Sequence, residues 1–264
     1  MIAPVIDATQ LADQPDAVIA DVRWYLDGRS GREEYAKGHL PGARFIDLDA
    51  HLAGPVGEAT GRHPLPTPEV FAEGMRKAGI SDDSVVVAYD DAGGMAAGRL
   101  VWLLRMLGVD AALLDGGLTA WAGEPDTSSP EVDEGTFVAR PWLPADLATI
   151  DDASTHLQVL DARAPQRYAG ETEPIDPKAG HIPGALNAPF TSNLGPDGRF
   201  LSPEALRDRF AALGVRDAAQ VVSYCGSGVT ACHNLIAMEY AGLGRGRLFP
   251  GSWSQYAATE RPVA

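Results

Sequence analysis

The sequence predicts an α/β protein built from two copies of one domain, each a small, mostly parallel sheet with helices on both faces. Three observations carry that reading: sequence blocks that recur in the same order, short apolar runs that alternate with helical patterns, and helix start and stop signals placed alike in both halves. Asp21-Val22-Arg23 recurs as Asp161-Ala162-Arg163, and Gly38-His39-Leu40-Pro41-Gly42-Ala43 recurs as Gly180-His181-Ile182-Pro183-Gly184-Ala185. Thr67-Pro68-Glu69 answers Ser202-Pro203-Glu204, Val86 to Tyr89 answers Val221 to Tyr224, and Asp115 to Trp121 answers Pro250 to Tyr256, these three at one offset of 135 residues.

Taken in order, Ala17 to Ala20, Val85 to Tyr89 and Ala111 to Leu114 read as strands of the first copy. Gln158 to Leu160, Val221 to Tyr224 and Arg247 to Phe249 read as strands of the second. Helical patterns alternate with them. Thr67 and Ser202 are N-cap residues followed by Pro at the first helical position, and Gly79 and Gly214 close the same helices in the left-handed conformation glycine adopts freely. Glu124 to Gly135, rich in Pro, Ser and acidic residues, reads as an exposed linker. The expected organisation is a domain over 1–124, a linker over 125–140 and a domain over 141–264.

Of the 264 residues, 21 are Lys or Arg and 36 Asp or Glu, a formal net charge of −15. That field repels phosphate backbones and anionic headgroups, so neither nucleic acid nor a membrane surface is an expected partner. No apolar run is long enough to span a bilayer, and Met1 to Gln10 lacks the basic and apolar regions of a secretory leader. A soluble, cytoplasmic protein is expected. Cys225 and Cys232 are the only two cysteines, too few for a disulfide framework and without zinc-ligand spacing, so no metal or other cofactor is expected.

Duplication supplies an internal control: residues present in both copies serve the fold, and residues present in one are where chemistry was added. By that test His39 and His181, and the pairs Asp21/Arg23 and Asp161/Arg163, are structural. The asymmetry follows the strands ending at Tyr89 and Tyr224. The first copy continues Asp90-Asp91-Ala92-Gly93-Gly94-Met95, the second Cys225-Gly226-Ser227-Gly228-Val229-Thr230. A thiol at a strand end, in a glycine-rich loop that leads into a helix N-terminus, is placed where converging N–H groups and the helix dipole stabilise negative charge on sulfur. Asp90 and Asp91 would repel a thiolate or an anion, so the first copy is expected to be silent. A buried packing thiol is the simpler reading of Cys225, but it leaves the loop unexplained. It suits Cys232, two turns into the next helix among Ala231, Leu235 and Ile236. Arg167 also belongs to one copy only, since Glu34 takes its place before Tyr35, and it reads either as an anion clamp or as a solvated surface residue.

The paired Gly-His-x-Pro-Gly-Ala turns, the loop Cys225 to Thr230 and the segment Gly251-Ser252-Trp253 make the whole chain resemble the two-domain rhodanese-family sulfurtransferases. The loop itself resembles that of the 3-mercaptopyruvate sulfurtransferases, since thiosulfate-preferring rhodaneses usually carry basic residues where Gly226 and Ser227 stand. The resemblance implies a tandem duplication of a rhodanese-like domain in which Cys225 takes a sulfur atom from a small anionic donor, 3-mercaptopyruvate or alternatively thiosulfate, as a persulfide. The sulfur then passes to cyanide or to a thiol acceptor such as a thioredoxin-like protein or a small thiol. The N–H groups of Gly226, Gly228, Val229 and Thr230 would hold the donor and the persulfide. The resemblance further implies a relay of Ser227, His63 and Asp49 that serves proton transfer to the pyruvate enolate, and a substrate-binding role for Arg167. A second substrate Arg, usual after a Glu-Pro stretch, is absent from Glu171-Thr172-Glu173-Pro174-Ile175-Asp176-Pro177-Lys178. Lys178 could replace its charge but not its fork, and Arg62 is another candidate.

Other chemistries fit less well. A phosphatase or arsenate reductase loop needs an Arg six residues after the Cys, where this chain has Ala231. A serine hydrolase needs a Gly-x-Ser-x-Gly elbow that Gly226-Ser227-Gly228 does not supply. A non-enzymatic sulfur-carrier or regulatory module would be favoured if both loops lacked a cysteine, so Cys225 argues against it.

Overall fold

The computed structural model describes residues 1–57, 59–156 and 158–264. It divides into two compact units. The first comprises Met1–Gly54, Pro66–Trp142 and Pro196–Arg199, and the second Pro55–Leu65, Leu143–Gly195 and Phe200–Ala264. Arg62 and His63, far ahead of the second repeat in sequence, therefore belong to the unit that holds Cys225.

In the first unit the elements run β1 (Val5–Ile6), α1 (Ala8–Ala12), β2 (Val18–Asp21), α2 (Gly31–Lys37), β3 (Arg44–Phe45), a π-helical turn over Leu48–Leu52, α3 (Pro68–Lys77), β4 (Val85–Tyr89), α4 (Ala97–Met106) and β5 (Asp110–Leu114). The strands pair in parallel in the order β1-β5-β4-β2-β3. Parallel neighbours need crossover connections, and helices supply them, which is why a continuous apolar run such as Val85-Val86-Val87-Ala88-Tyr89 lies at the centre. Val86 to Tyr89 are fully buried. The stretch 125–140 is mostly exposed, but Phe137 is buried, its ring edge-on to Phe71 at 5.6 Å and its carbonyl taken by Arg76 at 2.8 Å.

The second unit repeats the plan with α5 (Ile150–Thr155), β6 (Gln158–Asp161), α6 (Pro165–Tyr168), β7 (Leu186–Asn187), α7 (Pro203–Ala212), β8 (Val221–Tyr224), α8 (Ala231–Tyr240), β9 (Arg247–Leu248) and α9 (Ser252–Tyr256). Its four strands are parallel in the order β7-β6-β8-β9. Where the first unit has β1 beside β5, the second has a single parallel bridge from Leu147 to Leu248 beside β9. Thr67 and Ser202 cap α3 and α7 by accepting from Val70 N–H and Ala205 N–H, with Pro at N1 in both, and Gly79 and Gly214 follow with φ of 66° and 79°.

The residues shared by the two copies hold the turns in place. Arg23 binds Asp21 at 2.7 Å and the Gly38 carbonyl at 2.8 Å; Arg163 binds Asp161 at 2.6 Å and the Gly180 carbonyl at 2.7 Å. Both Asp residues are fully buried, and a buried charge is tolerated only when it is paired and bonded in this way. His39 stacks on Tyr35 and His181 on Tyr168, each with centroids 3.8 Å apart, and each Nδ1 lies within 2.9 Å of that tyrosine's carbonyl oxygen. The structure thus ties both histidines into their turns, as the duplication argument expects.

Candidate active site

Cys225 follows β8, the inner strand held between β6 and β9. The segment 250–254 fixes the backbone beneath it. Trp253 N–H donates to the Cys225 carbonyl and Ser254 N–H to the Gly226 carbonyl, both at 2.9 Å, while Cys225 N–H donates to Ser252 Oγ at 3.1 Å. Gly228 has φ of 83°, and a Cβ there would lie 2.5 Å from the Pro250 carbonyl oxygen, so only glycine can turn the chain at this point. The turn aims Gly228 N–H at Cys225 Sγ, 3.1 Å away. Cys225 is 2% exposed. Among the described residues, the N–H groups of Ser227, Val229, Thr230 and Ala231 take no backbone carbonyl.

The first unit shows what such a loop does when it is filled. Asp90 stands at the position of Cys225, fully buried, and its carboxyl oxygens accept from the N–H groups of Ala92, Gly94, Ala96 and Ala97 at 2.8–2.9 Å. Burial pushes the Asp90 carboxyl upward, and the four N–H donors pull against that shift. The sequence assigned Asp90 a repulsive role; the geometry adds that its side chain occupies the anion cradle of its own loop.

Around Cys225 the second unit gathers four of the expected side chains. His63 Nδ1 and Ser227 Oγ are 2.7 Å apart. Arg62 and Arg167 flank the loop: a Cβ placed on Gly226 would lie 3.0 Å from Arg62 Nη2 and 3.4 Å from Arg167 Nη1. Neither guanidinium stands alone. Arg167 forks onto Glu173, with Nη2–Oε1 at 2.6 Å and Nε–Oε2 at 3.2 Å, and reaches Asp176 at 3.3 Å. Arg62 pairs with Asp176 through Nη1, and its N–H donates to Ser254 Oγ at 3.0 Å. Arg163 joins the group through Glu173 at 3.3 Å. Burial raises Asp176, ahead of the opposing charge of Arg62, and its carboxyl lies above its ordinary range. Burial also acts to raise Glu173, but the bond from Arg167, the Asp176 N–H and the Arg167 charge outweigh it and leave Glu173 lowered.

Other expected residues lie elsewhere. Asp49 is in the first unit, in the turn Leu48–Leu52, where its carboxylate accepts from Trp24 Nε1 at 3.0 Å. The Lys178 ammonium donates to the Thr259 carbonyl. Thr230 is the N-cap position of α8 without a side-chain cap bond. Cys232 is fully buried, its thiol directed at the Gly228 carbonyl at 3.4 Å. Sequence reasoning passed over three residues, Ser252, Glu173 and Asp176. Ser252 stood in a repeated block opposite Gly117, and the two acids stood in a stretch noted only for lacking an Arg. Among the described residues, no three His, Cys, Asp or Glu side chains converge as metal ligands would, and no helix is long and apolar enough to cross a membrane.

Two α/β units with parallel sheets, one with Cys225 in the loop after its strand and one with Asp90 filling the equivalent loop, define a duplicated α/β protein. The model of the rhodanese-like domain matches residues 6–124 and again 144–259, and the chain belongs to the rhodanese family. It is a sulfurtransferase similar over nearly its whole length to 3-mercaptopyruvate sulfurtransferases. A Pseudomonas aeruginosa relative named "Probable 3-mercaptopyruvate sulfurtransferase" is 47% identical over 99% of this chain and 98% of that protein. The human 3-mercaptopyruvate sulfurtransferase is 37% identical over 95% of this chain and 88% of its own. The solved 3-mercaptopyruvate sulfurtransferase from Leishmania major superposes with a TM-score of 0.87 at 34% identity, covering 99% of this chain and 76% of that one.

Proposed function

We propose that the second unit moves sulfur from 3-mercaptopyruvate to a thiol or to cyanide through a persulfide on Cys225, and that the first unit is catalytically silent. The observation that carries this reading is the loop pair: four N–H groups converge on the Asp90 side chain in one copy, and the register-equivalent loop in the other copy surrounds a thiol. In the first half-reaction Cys225 thiolate attacks the donor sulfur. An S–S bond forms, the donor C–S bond breaks, and its electron pair stays on carbon as the enolate of pyruvate. A proton delivered through Ser227 and His63 completes pyruvate. In the second half-reaction the acceptor thiolate attacks the outer sulfur, leaving Cys225 as thiolate and the acceptor as persulfide; cyanide gives thiocyanate. The loop N–H groups stabilise the charge on the outer sulfur in both steps. Arg62 and Arg167 orient the donor carboxylate beside Gly226.

Intact mass after 3-mercaptopyruvate without acceptor should show one added sulfur atom, absent in Cys225→Ser. Full turnover by Cys225→Ser would end this reading. Ser227→Ala and His63→Ala should each lower kcat for 3-mercaptopyruvate about 10²-fold or more and spare thiosulfate turnover by comparison. Equal losses with both donors would remove the relay.

A further inference from the structure

We infer that Asp176 and Glu173 make the donor clamp electrically neutral and so select a singly charged donor over a doubly charged one. This rests on the proposed function and refines its substrate class. Arg62, Arg163 and Arg167 are joined by direct ion pairs to Asp161, Glu173 and Asp176, three guanidiniums to three carboxylates, so the cluster beside Gly226 has no net charge. Glu173 and Asp176 side chains are 3% and 4% exposed, which keeps water from screening them. Two arginines at a cysteine loop would otherwise form a dicationic trap in a chain of net charge −15. With both acids in place, guanidinium N–H groups still orient a carboxylate geometrically, but they add little Coulomb attraction for bulk anionic charge.

The consequence is quantitative. Removing one negative charge from the cluster changes the energy of a bound anion in proportion to that anion's charge. Whatever factor Asp176→Asn adds to kcat/KM for 3-mercaptopyruvate, which carries one carboxylate, it must add about as the square for thiosulfate, a dianion. A gain of about threefold for the first thus goes with about tenfold for the second. A hydrogen-bonding role alone would change both donors by similar factors, because Asn keeps the shape and one acceptor oxygen.

The experiment measures kcat/KM for both donors at low salt with cyanide as acceptor, in the full chain, for wild type, Asp176→Asn and Asp176→Glu. Expected are a thiosulfate gain close to the square of the 3-mercaptopyruvate gain in Asp176→Asn and a wild-type donor ratio in Asp176→Glu. Equal factors for the two donors, a fall for both, or a shifted ratio in the charge-conserving Glu variant would overturn the inference while leaving the persulfide reading intact. Wild-type protein that takes sulfur from neither donor would instead overturn the functional reading on which it rests.

Discussion

Ser252 offers the sharpest test of how the loop is supported. Among the described residues it alone combines a side chain with a positive φ, 52°, and its counterpart in the first copy is Gly117 at 55°. A left-handed backbone costs an L-residue roughly 1–2 kcal/mol, so something must hold it there. Ser252 is fully buried, and its hydroxyl accepts from Cys225 N–H at 3.1 Å and donates to the Phe249 carbonyl at 2.9 Å. Ser252→Ala keeps the strain, deletes two bonds of about 1 kcal/mol each and strands the buried Cys225 N–H, a loss of about 2–4 kcal/mol in all. Ser252→Gly loses the same bonds but relieves the strain, less roughly 0.5–1 kcal/mol for the extra freedom of glycine in the unfolded chain. It should therefore be about 0.5–1 kcal/mol more stable than the alanine variant, although it is the smaller residue. Urea unfolding followed by tryptophan fluorescence measures both. An alanine variant as stable as wild type, or a glycine variant less stable than alanine, would refute the reasoning.

Two further outcomes are expected. Asp90→Ala leaves the buried N–H donors of Gly94, Ala96 and Ala97 without an acceptor, so the first unit should lose about 3 kcal/mol or more, with hydrogen exchange at the Ala96 and Ala97 amides rising first. Wild-type protection there would show that the carboxyl does not fill the loop. Glu173, ordinarily near 4.5, is lowered in the folded protein, so its ionised form stabilises the fold above that value and the contribution is lost as pH falls through the folded pKa. Melting temperatures of Glu173→Gln should thus fall furthest below wild type near neutrality, and the gap should close on acidification; a gap that widens at low pH would contradict the direction of the shift.

Much of the protein was legible from the chain alone because the signals are local. Strand runs, the Thr67 and Ser202 caps and the closing glycines depend on residues within a turn or two of one another, and the repeat made each copy a check on the other. The same comparison separated Cys225 from Cys232 and marked both histidine turns as structural. The short edge strands β1, β3 and β7, two residues each, carry too little pattern to be read. Of the candidate site, the residue pattern by itself marked the loop and Arg167, and His63 and Arg62 came only through the family resemblance. His63 and Ser227 are 164 residues apart in sequence, and Arg62 and Asp176 are 114 apart, and nothing in the spacing of a chain says which distant side chains will share a hydrogen bond. Sequence therefore determined the duplication and the fold class, and singled out Cys225 as the candidate nucleophile. The tertiary structure decided the company Cys225 keeps: that Pro55–Leu65 joins the second unit, that Arg62 and Arg167 both flank Gly226, and that Glu173 and Asp176 pair with them. Hydrophobic periodicity specifies which faces are buried, whereas ion pairing across such distances follows only once the folded backbone has brought the charges together.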